Sequence, residues 1–320
     1  MGRSNTYKGE FMKHAVLFPG QGAQVVGMGK DFYDNFLEAK EVFQEADEIL
    51  SESLSTLIFE GPVNKLSETR HCQVALFVTS IALLRTIQKQ VPSFQFGFAA
   101  GLSLGEYSAY CAASVLSFAD AVELVKQRGE LMHTCSVKNP GSMSVALGQT
   151  EEQIREMLGD AQGVWIANLN CPGQVVISGT VSGIENATKI LKEAGVKRVL
   201  PLNVSGAFHS PLMNEARERL EEEILKVTFT PSNITVLSNA KGGAVVSEGE
   251  MRESLIHQVV APVYWEKDIR YLESEGVSTY FEIGAGNTLA GMNKRIGVEG
   301  QTITVSTVQD LELLEKQYAS

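Results

Sequence analysis

The sequence lacks the features that define several large protein classes. Its longest apolar run, residues 74–84, is eleven residues long and includes two hydroxyl side chains, whereas a helix needs about 20 apolar residues to cross a bilayer. Basic residues are in deficit, with 27 Lys and Arg against 38 Asp and Glu and a formal net charge of −11. The resulting field repels nucleic-acid phosphates and anionic lipid head groups. We therefore expect neither a membrane-spanning protein nor a nucleic-acid-binding protein.

Cysteine and histidine are scarce as well. The cysteines form no C-x-x-C pair, and no hydrophobic signal segment opens the chain, so we expect buried thiols in a reducing cytoplasm. Metal-binding patterns such as H-E-x-x-H or clustered histidines are missing, which argues against a metal centre. The cysteines are Cys72, Cys111, Cys135 and Cys171.

The chain does have a globular composition, with 320 residues of which 44% are hydrophobic and 20% are charged. This length suits about two domains of about 150 residues each. In the first half, short apolar runs at 15–18 and 94–99 predict strands, and longer helical patterns alternate with them. Such alternation predicts a mostly parallel sheet with helices on both faces. The predicted helices span 31–51, 73–90, 106–113 and 118–135.

The pattern changes near residue 140. Six short elements follow in the order βαββαβ, which is typical of a ferredoxin-like subdomain, and the alternation of strands and helices then resumes. The predicted elements of the subdomain are strands at 142–147, 164–169, 174–178 and 198–202 and helices at 150–158 and 181–194. The later ones are helices near 211–227, 248–260 and 265–275 and strands at 234–237, 279–283 and near 302.

The sequence Gly101-Leu102-Ser103-Leu104-Gly105 fits G-x-S-x-G and lies between a predicted strand and a predicted helix. In a nucleophile elbow, flanking glycines permit a sharp turn, the serine stands at its tip, and the next backbone N–H faces the oxyanion. A glycine-flanked serine in an ordinary turn is the alternative. The strand-turn-helix context favours the elbow.

These patterns together predict an α/β fold with two parts. The large domain, formed by 12–139 and 203–320, has a mostly parallel sheet, a nucleophile elbow and an α/β-hydrolase-like core. The inserted ferredoxin-like subdomain spans 140–202. Residues 1–11 are polar and unpatterned, and we interpret them as a vector-derived or disordered leader.

A serine hydroxyl needs a base to become a good nucleophile. His209 lies in the small-residue loop 205–211, between a predicted strand and a predicted helix, where α/β folds place ligands. The other four histidines open a strand or accompany helices. No acidic residue adjoins His209 in the sequence, so the acceptor that orients its ring is left open.

Arg128 lies on the apolar face of its predicted helix, where arginine is rare without an anionic partner. It either pairs with an internal carboxylate or binds a substrate carboxylate through two parallel hydrogen bonds. The glycine-rich loop 18–24 carries two glutamines, one of which could serve an oxyanion. This loop lacks both the Walker Lys-Ser/Thr and the G-x-G-x-x-G spacing, which argues against nucleotide binding.

The residues resemble a known family, the malonyl-CoA:acyl-carrier-protein transacylases of fatty-acid synthesis, which are similar to the acyltransferase domains of polyketide synthases. The resemblance runs from about Met12 to Val305 and includes two weaker motifs, QVVAPVYW at 258–265 and FEIGAGNTLAGM at 281–292. The five stronger motifs are FPGQGAQ at 18–24, GLSLGEYSA at 101–109, QRGELM at 127–132, NCPGQVVISG at 170–179 and GAFHSPLM at 206–213.

Carried over position by position, the resemblance implies that Ser103 is the nucleophile, His209 its base and Arg128 the residue that binds the malonyl carboxylate. It also implies an oxyanion hole formed by the backbone N–H groups of Gln21 and Leu104. The implied reaction is a ping-pong transfer from malonyl-CoA to the phosphopantetheine thiol of holo acyl carrier protein. It passes through a malonyl-serine ester and needs no cofactor.

Further site residues follow from the same resemblance. The backbone carbonyl of Gln258 is implied to orient His209. Leu102 replaces the histidine that many members carry before the serine. Phe208 stands in G-A-F-H, close to the H-A-F-H of malonyl-selective polyketide acyltransferases, and favours malonyl over methylmalonyl. The positions that line the acyl and CoA pocket fall on Gln73, Asn170 and Gln174.

The carrier protein raises an electrostatic question, because acyl carrier proteins are acidic as a family and this chain is acidic too. Docking therefore requires a local basic patch, unless the candidate side chains are ordinary solvated pairs. We expect a monomer, and the sequence leaves open whether fatty-acid or polyketide assembly is served. The candidate patch is Lys197, Arg198, Lys294 and Arg295.

Two other functions fit part of the pattern. A serine esterase or thioesterase of the α/β-hydrolase plan shares G-x-S-x-G but expects an acid between serine and histidine. The later acids of that interval, such as Asp160, Glu185 and Glu193, lie in the predicted subdomain. A carrier-protein docking factor with an inactive elbow would not need Arg128 on an apolar face.

Overall fold

A computed structural model describes residues 13–318 of the chain, and the predicted leader at 1–11 lies outside them. The strands in chain order are β1 (His14–Phe18), β2 (Phe98–Gly101), β3 (Gly141–Leu147), β4 (Val164–Cys171), β5 (Gln174–Thr180), β6 (Arg198–Pro201), β7 (Thr235–Ser238), β8 (Gly243–Val245), β9 (Thr279–Ile283) and β10 (Gln301–Val305).

Helices connect these strands and cover both sheet faces. In chain order they are α1 (Lys30–Asn35), α2 (Leu37–Leu50), α3 (Leu54–Glu60), α4 (Val63–Leu66), α5 (Thr69–Gln90), α6 (Gly105–Ala112), α7 (Phe118–Lys138), α8 (Glu151–Leu158), α9 (Val181–Glu193), α10 (Asn214–Ile224), α11 (Glu248–Gln258), α12 (Trp265–Ser274), α13 (Thr288–Ile296) and α14 (Val308–Tyr318). A 3₁₀ turn, Pro211–Met213, precedes α10. No helix between Lys13 and Tyr318 combines the length and the apolar character that crossing a membrane would require.

The larger sheet has six strands in the order β10-β9-β1-β2-β7-β8. All neighbouring pairs are parallel except β7 and β8, which are antiparallel. Alternate side chains of β1 enter different cores: Val16 and Phe18 pack on one face, and Ala15 and Leu17 on the other. A strand buried on both faces explains the continuous apolar run that predicted it.

The smaller sheet is antiparallel, with strand order β4-β5-β3-β6. Helices α8 and α9 pack on it and close a core of their own around Ile154, Ile177 and Leu191. Backbone hydrogen bonds from Leu169 N to Val263 O and from Val263 N to Ala167 O, both 2.8 Å long, tie its edge strand β4 to the larger part. All six elements predicted for this segment are present, and each end lies within two residues of its expected position.

Several element boundaries predicted from the sequence are wrong. The helix predicted at 31–51 is two helices, because Phe36 has an extended backbone with φ −130°. The strand predicted at 94–99 begins only at Phe98, since Phe94 is buried by packing on the Phe281 ring, with 5.0 Å between centroids, rather than by sheet pairing. The helix predicted near 211–227 opens with the 3₁₀ turn and ends at Ile224.

Other elements received no prediction at all. They are the short helices α3 and α4, the hairpin strand β8 and the late helices α13 and α14. The prediction of buried thiols holds for three of the four cysteines, whereas Cys111 is half-buried, and all four are free.

Candidate active site

A cleft of about 250 Å³ lies where the two sheets meet. The loop after β1 and the turn after β2 form one wall, and strands β4 and β5 of the smaller sheet contribute Asn170 and Val176 to the other. Parallel sheets bind ligands at the carboxyl ends of their strands, and this cleft occupies that position. Of the residues predicted for the site, Gln21, Gln73, Ser103, Asn170, Phe208 and His209 line it.

Ser103 stands at the turn between β2 and α6 with φ +53°. A non-glycine residue with positive φ is strained and must be held by its surroundings. Two glycines allow this turn, because a Cβ on Gly101 would lie 1.9 Å from the Gly105 carbonyl carbon and one on Gly105 would lie 2.2 Å from the Phe18 oxygen. The Ser103 hydroxyl is thereby presented to the cleft.

His209 is buried, with 4% of its surface exposed, and it too has a positive φ, of +56°. Its Nε2 lies 2.8 Å from Ser103 Oγ, and its Nδ1 lies 2.8 Å from the backbone oxygen of Gln258. A carbonyl can only accept, so Nδ1 carries the proton and Nε2 accepts from the serine hydroxyl. Burial, together with the charge of Arg128, lowers the pKa of His209 to about 4, which keeps the ring neutral near pH 7.

Arg128 lies on α7 and is buried, with 1% exposure. Its Nη2 donates to Ser103 Oγ at 3.0 Å and to Gln258 Oε1 at 2.9 Å, and its Nη1 donates to Gln73 Oε1 at 2.6 Å. Within residues 13–318 it forms no ion pair with a carboxylate. The sequence left two roles open for Arg128, and the first of them, pairing with an internal carboxylate, is not found among the described residues.

Gln21 and Leu104 are the residues whose backbone N–H groups are predicted to form the oxyanion hole. Gln21 lies in the loop after β1, and Leu104 directly follows Ser103 in the sequence. The Gln21 side chain contacts Thr69 Oγ1 at 3.4 Å, and that hydroxyl lies 2.9 Å from Ser205 Oγ. The backbone N–H groups of Gln21 and Leu104 donate to no acceptor within residues 13–318. Both amides are thus available as donors.

The remaining predicted residues differ in how close they lie to Ser103. Asn170 lines the cleft, and its Oδ1 has no hydrogen-bond partner among the described residues. Gln174 instead lines a small neighbouring depression together with Arg295, and this depression shares Thr288 and Met292 with the main cleft. Its Oε1 accepts from Cys171 Sγ at 3.2 Å. The candidate patch residues Lys197, Arg198, Lys294 and Arg295 are all exposed.

Two buried residues that the sequence analysis missed support Ser103. Asn239 Oδ1 accepts from Ser103 N at 2.6 Å, and its Nδ2 donates to Gly101 O at 2.9 Å and to Asp268 Oδ2 at 3.0 Å. Glu106 lies on the first turn of α6 and accepts from Gln258 Nε2 at 2.6 Å. The position of Asn239 directly after the apolar strand β7 is the sequence signal that could have identified it.

Comparisons with known proteins place this geometry in context. A family model described as "Acyl transferase domain" matches residues 16–307. A malonyl CoA-acyl carrier protein transacylase of Bacillus subtilis is 43% identical over 305 residues, which cover 94% of this chain and 96% of the relative. The crystal structure of a protein of that name from Clostridium perfringens superposes with TM-score 0.91 at 38% identity, covering 96% of this chain and 97% of that one.

A third similar protein was solved together with a partner. The structure is described as a type II PKS acyl-carrier protein in complex with its malonyl-transacylase. It matches with TM-score 0.91 at 34% identity, covering 95% of this chain and 99% of that one.

Proposed function

The chain belongs to the acyl transferase family, and from this premise we propose that it transfers malonyl groups from malonyl-CoA to the thiol of holo acyl carrier protein. The observation that carries the proposal is that one atom, Ser103 Oγ, lies 2.8 Å from His209 Nε2 and 3.0 Å from Arg128 Nη2. A nucleophile, its base and a cation suited to a carboxylate thus meet at one atom of a residue that lines the cleft.

The first half-reaction forms an ester on Ser103. The hydroxyl proton moves to His209 Nε2 as Oγ attacks the thioester carbon of malonyl-CoA. The oxyanion of the tetrahedral intermediate accepts hydrogen bonds from the N–H groups of Gln21 and Leu104. When the C–S bond breaks, the CoA sulfur takes the proton from Nε2, and malonyl-Ser103 remains.

The second half-reaction reverses these steps with a different thiol. The phosphopantetheine thiol of the carrier protein gives its proton to His209 and attacks the ester carbon. The same two amides hold the oxyanion, and Ser103 Oγ leaves with the proton from Nε2. The carrier thioester and the free enzyme result. In this scheme the catalytic groups of both half-reactions are side chains and backbone amides of this chain.

Arg128 supplies selectivity for an acyl group with a free carboxylate. The guanidinium is buried and bonded to neutral acceptors on Gln73 and Gln258. A carboxylate offers it charge-assisted hydrogen bonds, which are about twice as strong as neutral ones. Phe208, buried beside His209 in the same cleft, limits the room for an additional methyl group and favours malonyl over methylmalonyl.

The serine thioesterase alternative has weaker support. A triad of the α/β-hydrolase type orients its histidine with a carboxylate, whereas Nδ1 of His209 faces the backbone oxygen of Gln258. A hydrolase also has no need for a buried arginine on its nucleophile. Both features favour transfer of a charged acyl group.

We extend the proposal to the finer details of the fold. The positive φ of Ser103 between β2 and α6 supports a nucleophile elbow. The strand order β4-β5-β3-β6, with helices α8 and α9 between its strands, supports a ferredoxin-like subdomain at 140–202. The large α/β domain would then comprise 12–139 and 203–320.

For the carrier protein we propose docking over the rim that bears Arg295. This residue is exposed and lines the depression beside the cleft, and Lys294 precedes it on α13. Lys197 and Arg198, exposed at β6, are the second part of the candidate patch. We further propose that the enzyme acts as a monomer without a cofactor, since the catalytic groups named above all come from one chain. The four cysteines are free, which supports our proposal of a reducing cytoplasm.

The test is the intact mass of the protein after mixing with malonyl-CoA. We expect an adduct of malonyl size that holo acyl carrier protein discharges, and no adduct on Ser103→Ala. The matched control is Ser182→Ala, which alters an exposed serine of the subdomain and should leave the adduct in place. Release of free malonate without transfer to the carrier would instead identify a thioesterase.

A further inference from the structure

Glu106 is a fully buried carboxylate that the proposed reaction does not use. It has 0% exposure and lies three residues after Ser103, on the first turn of α6. Its Oε2 accepts from Gln258 Nε2 at 2.6 Å and from Asn239 N at 3.0 Å, and its Oε1 accepts from Ser254 Oγ at 3.1 Å. Three donors converge on it, and these hydrogen bonds favour the ionised carboxylate against the cost of its burial.

Gln258 connects this carboxylate to the catalytic groups. Its Nε2 also donates to Ser103 O at 2.9 Å, so both amide hydrogens face acceptors. The amide therefore has one favourable orientation, in which Oε1 faces Arg128 Nη2 at 2.9 Å. If the amide were flipped, its NH₂ group would face a guanidinium donor, and its oxygen would face the carboxylate and the Ser103 carbonyl.

The same contacts give Arg128 an indirect counter-charge. The guanidinium has no carboxylate partner within residues 13–318, and a buried charge without compensation is costly. The attraction between Glu106 and Arg128 is among the influences that favour the charged form of each. One glutamine side chain separates the two groups.

We propose that ionised Glu106 is a positioning residue for malonyl transfer: its carboxylate fixes the Gln258 amide so that Arg128 stays on Ser103 Oγ. This inference rests on the proposed function. Protonation of Glu106 would place a donor opposite Gln258 Nε2 and remove the counter-charge of Arg128. The amide would then lose its single favourable orientation, and acylation of Ser103 would slow.

The pH at which this happens is within experimental reach. Burial raises the pKa of Glu106 to about 7, against the lowering effect of its hydrogen bonds from Gln258, Asn239 and Ser254. The other ionisable groups around it are Tyr107 and Tyr110 on its own helix, Arg128 on α7 and Asp268 on α12. Burial raises the pKa of both tyrosines and of Asp268, so Asp268 is the competing carboxylate.

The experiment measures the rate of Ser103 acylation by malonyl-CoA from about pH 5 to about pH 9, by rapid quench and intact mass. In the wild type we expect a limb near pH 7, below which the rate falls by up to about tenfold per pH unit. In Glu106→Gln this limb should vanish. The amide oxygen of that variant can still accept from Asn239 and Gln258, so the fold is retained.

Two further variants test the assignment. Ser254→Ala removes a hydrogen-bond donor from the carboxylate and should move the limb to higher pH. Asp268→Asn removes the competing carboxylate and should leave the limb in place. A limb that persists in Glu106→Gln, disappears in Asp268→Asn or is missing from the wild type would overturn the inference. Failure of the wild type to form malonyl-Ser103 at any pH would instead refute the proposed function.

Discussion

Arg128 Nη2 donates to Ser103 Oγ at 3.0 Å, so the proposed carboxylate-binding group touches the proposed nucleophile. The cation favours a negative charge on Oγ, but it also lowers the pKa of His209 and so weakens the base. A malonyl carboxylate paired with Arg128 would offset the second effect. Substrate binding and base strength are thereby linked in this site.

The first prediction concerns selectivity for malonyl groups. Arg128→Ala should lower acylation by malonyl-CoA about 10- to 150-fold relative to acylation by acetyl-CoA, because a charge-assisted hydrogen bond contributes about 1.5–3 kcal/mol. The measurement is the ratio of kcat/KM for the two donors. The substitution also leaves Gln73 Oε1 and Gln258 Oε1 without the hydrogen bonds from Arg128. Any loss of activity from this cause affects malonyl-CoA and acetyl-CoA alike and cancels in the ratio.

The control for this prediction is Arg85→Ala, which removes a half-buried arginine paired with Glu45 at 3.1 Å. It should leave the malonyl-to-acetyl ratio as in the wild type. If Arg128→Ala lowers kcat/KM equally for malonyl-CoA and acetyl-CoA, Arg128 acts on Ser103 alone and not on the carboxylate.

The second prediction concerns how the burial of the His209 ring makes the free energy of unfolding depend on pH. His209 has a folded-state pKa of about 4 against an ordinary value of 6.5, so the unfolded chain binds the proton first as pH falls. Stability contributed by neutral His209 is present above pH 6.5 and is lost as the pH falls towards about 4. The whole change corresponds to about 3 kcal/mol.

Urea unfolding of the wild type and of His209→Ala across this window measures the effect. The substitution costs packing at every pH, but the variant lacks the titration, so its stability relative to the wild type should increase as the pH falls. Parallel curves for the two proteins would show that the ring titrates equally in the folded and unfolded states.

The site illustrates why sequence motifs reveal some residues and not others. Ser103 and His209 each lie in a local pattern of strand, small-residue turn and helix, which can be read without knowing the fold. Asn239 directly follows strand β7 and Glu106 lies within GLSLGEYSA, but neither local pattern indicates which residue is its partner. Their partners Ser103 and Gln258 are 136 and 152 positions away in sequence, and only the tertiary fold brings them together.

The same distinction applies to the secondary structure. The elements at 140–202 were predictable because alternating strands, amphipathic helices and glycine turns specify them locally. Helix α13 begins within a glycine-rich stretch at 284–291 that carries little apolar periodicity. Two hydrogen bonds to the buried Glu282 carboxylate, from Leu289 N at 2.9 Å and Ala290 N at 2.8 Å, hold its first turn.

The third prediction concerns the turn that carries Ser103. A Cβ on Gly101 would lie 1.9 Å from the Gly105 carbonyl carbon and 2.5 Å from Glu106 N, both backbone atoms. Gly101→Ala should therefore lower the free energy of unfolding by about 3 kcal/mol. On α11, Gly249→Ala meets no atom within 4 Å and should stabilise the protein by about 0.5–1 kcal/mol. Thermal and urea unfolding of the two variants would check both signs.

The last prediction separates the carrier protein from CoA at the candidate patch. Because charge complementarity acts mainly on the association rate, Lys294→Glu and Arg295→Glu should slow discharge of malonyl-Ser103 by holo acyl carrier protein on the order of tenfold at low salt. The difference from the wild type should shrink as salt screens the charges. Acylation by malonyl-CoA should change little.

The matched control is Lys89→Glu, which changes an exposed lysine near the end of α5. If Arg295→Glu slows acylation by malonyl-CoA as much as it slows discharge, Arg295 binds a group common to CoA and the carrier, such as the pantetheine phosphate, and the docking surface lies elsewhere.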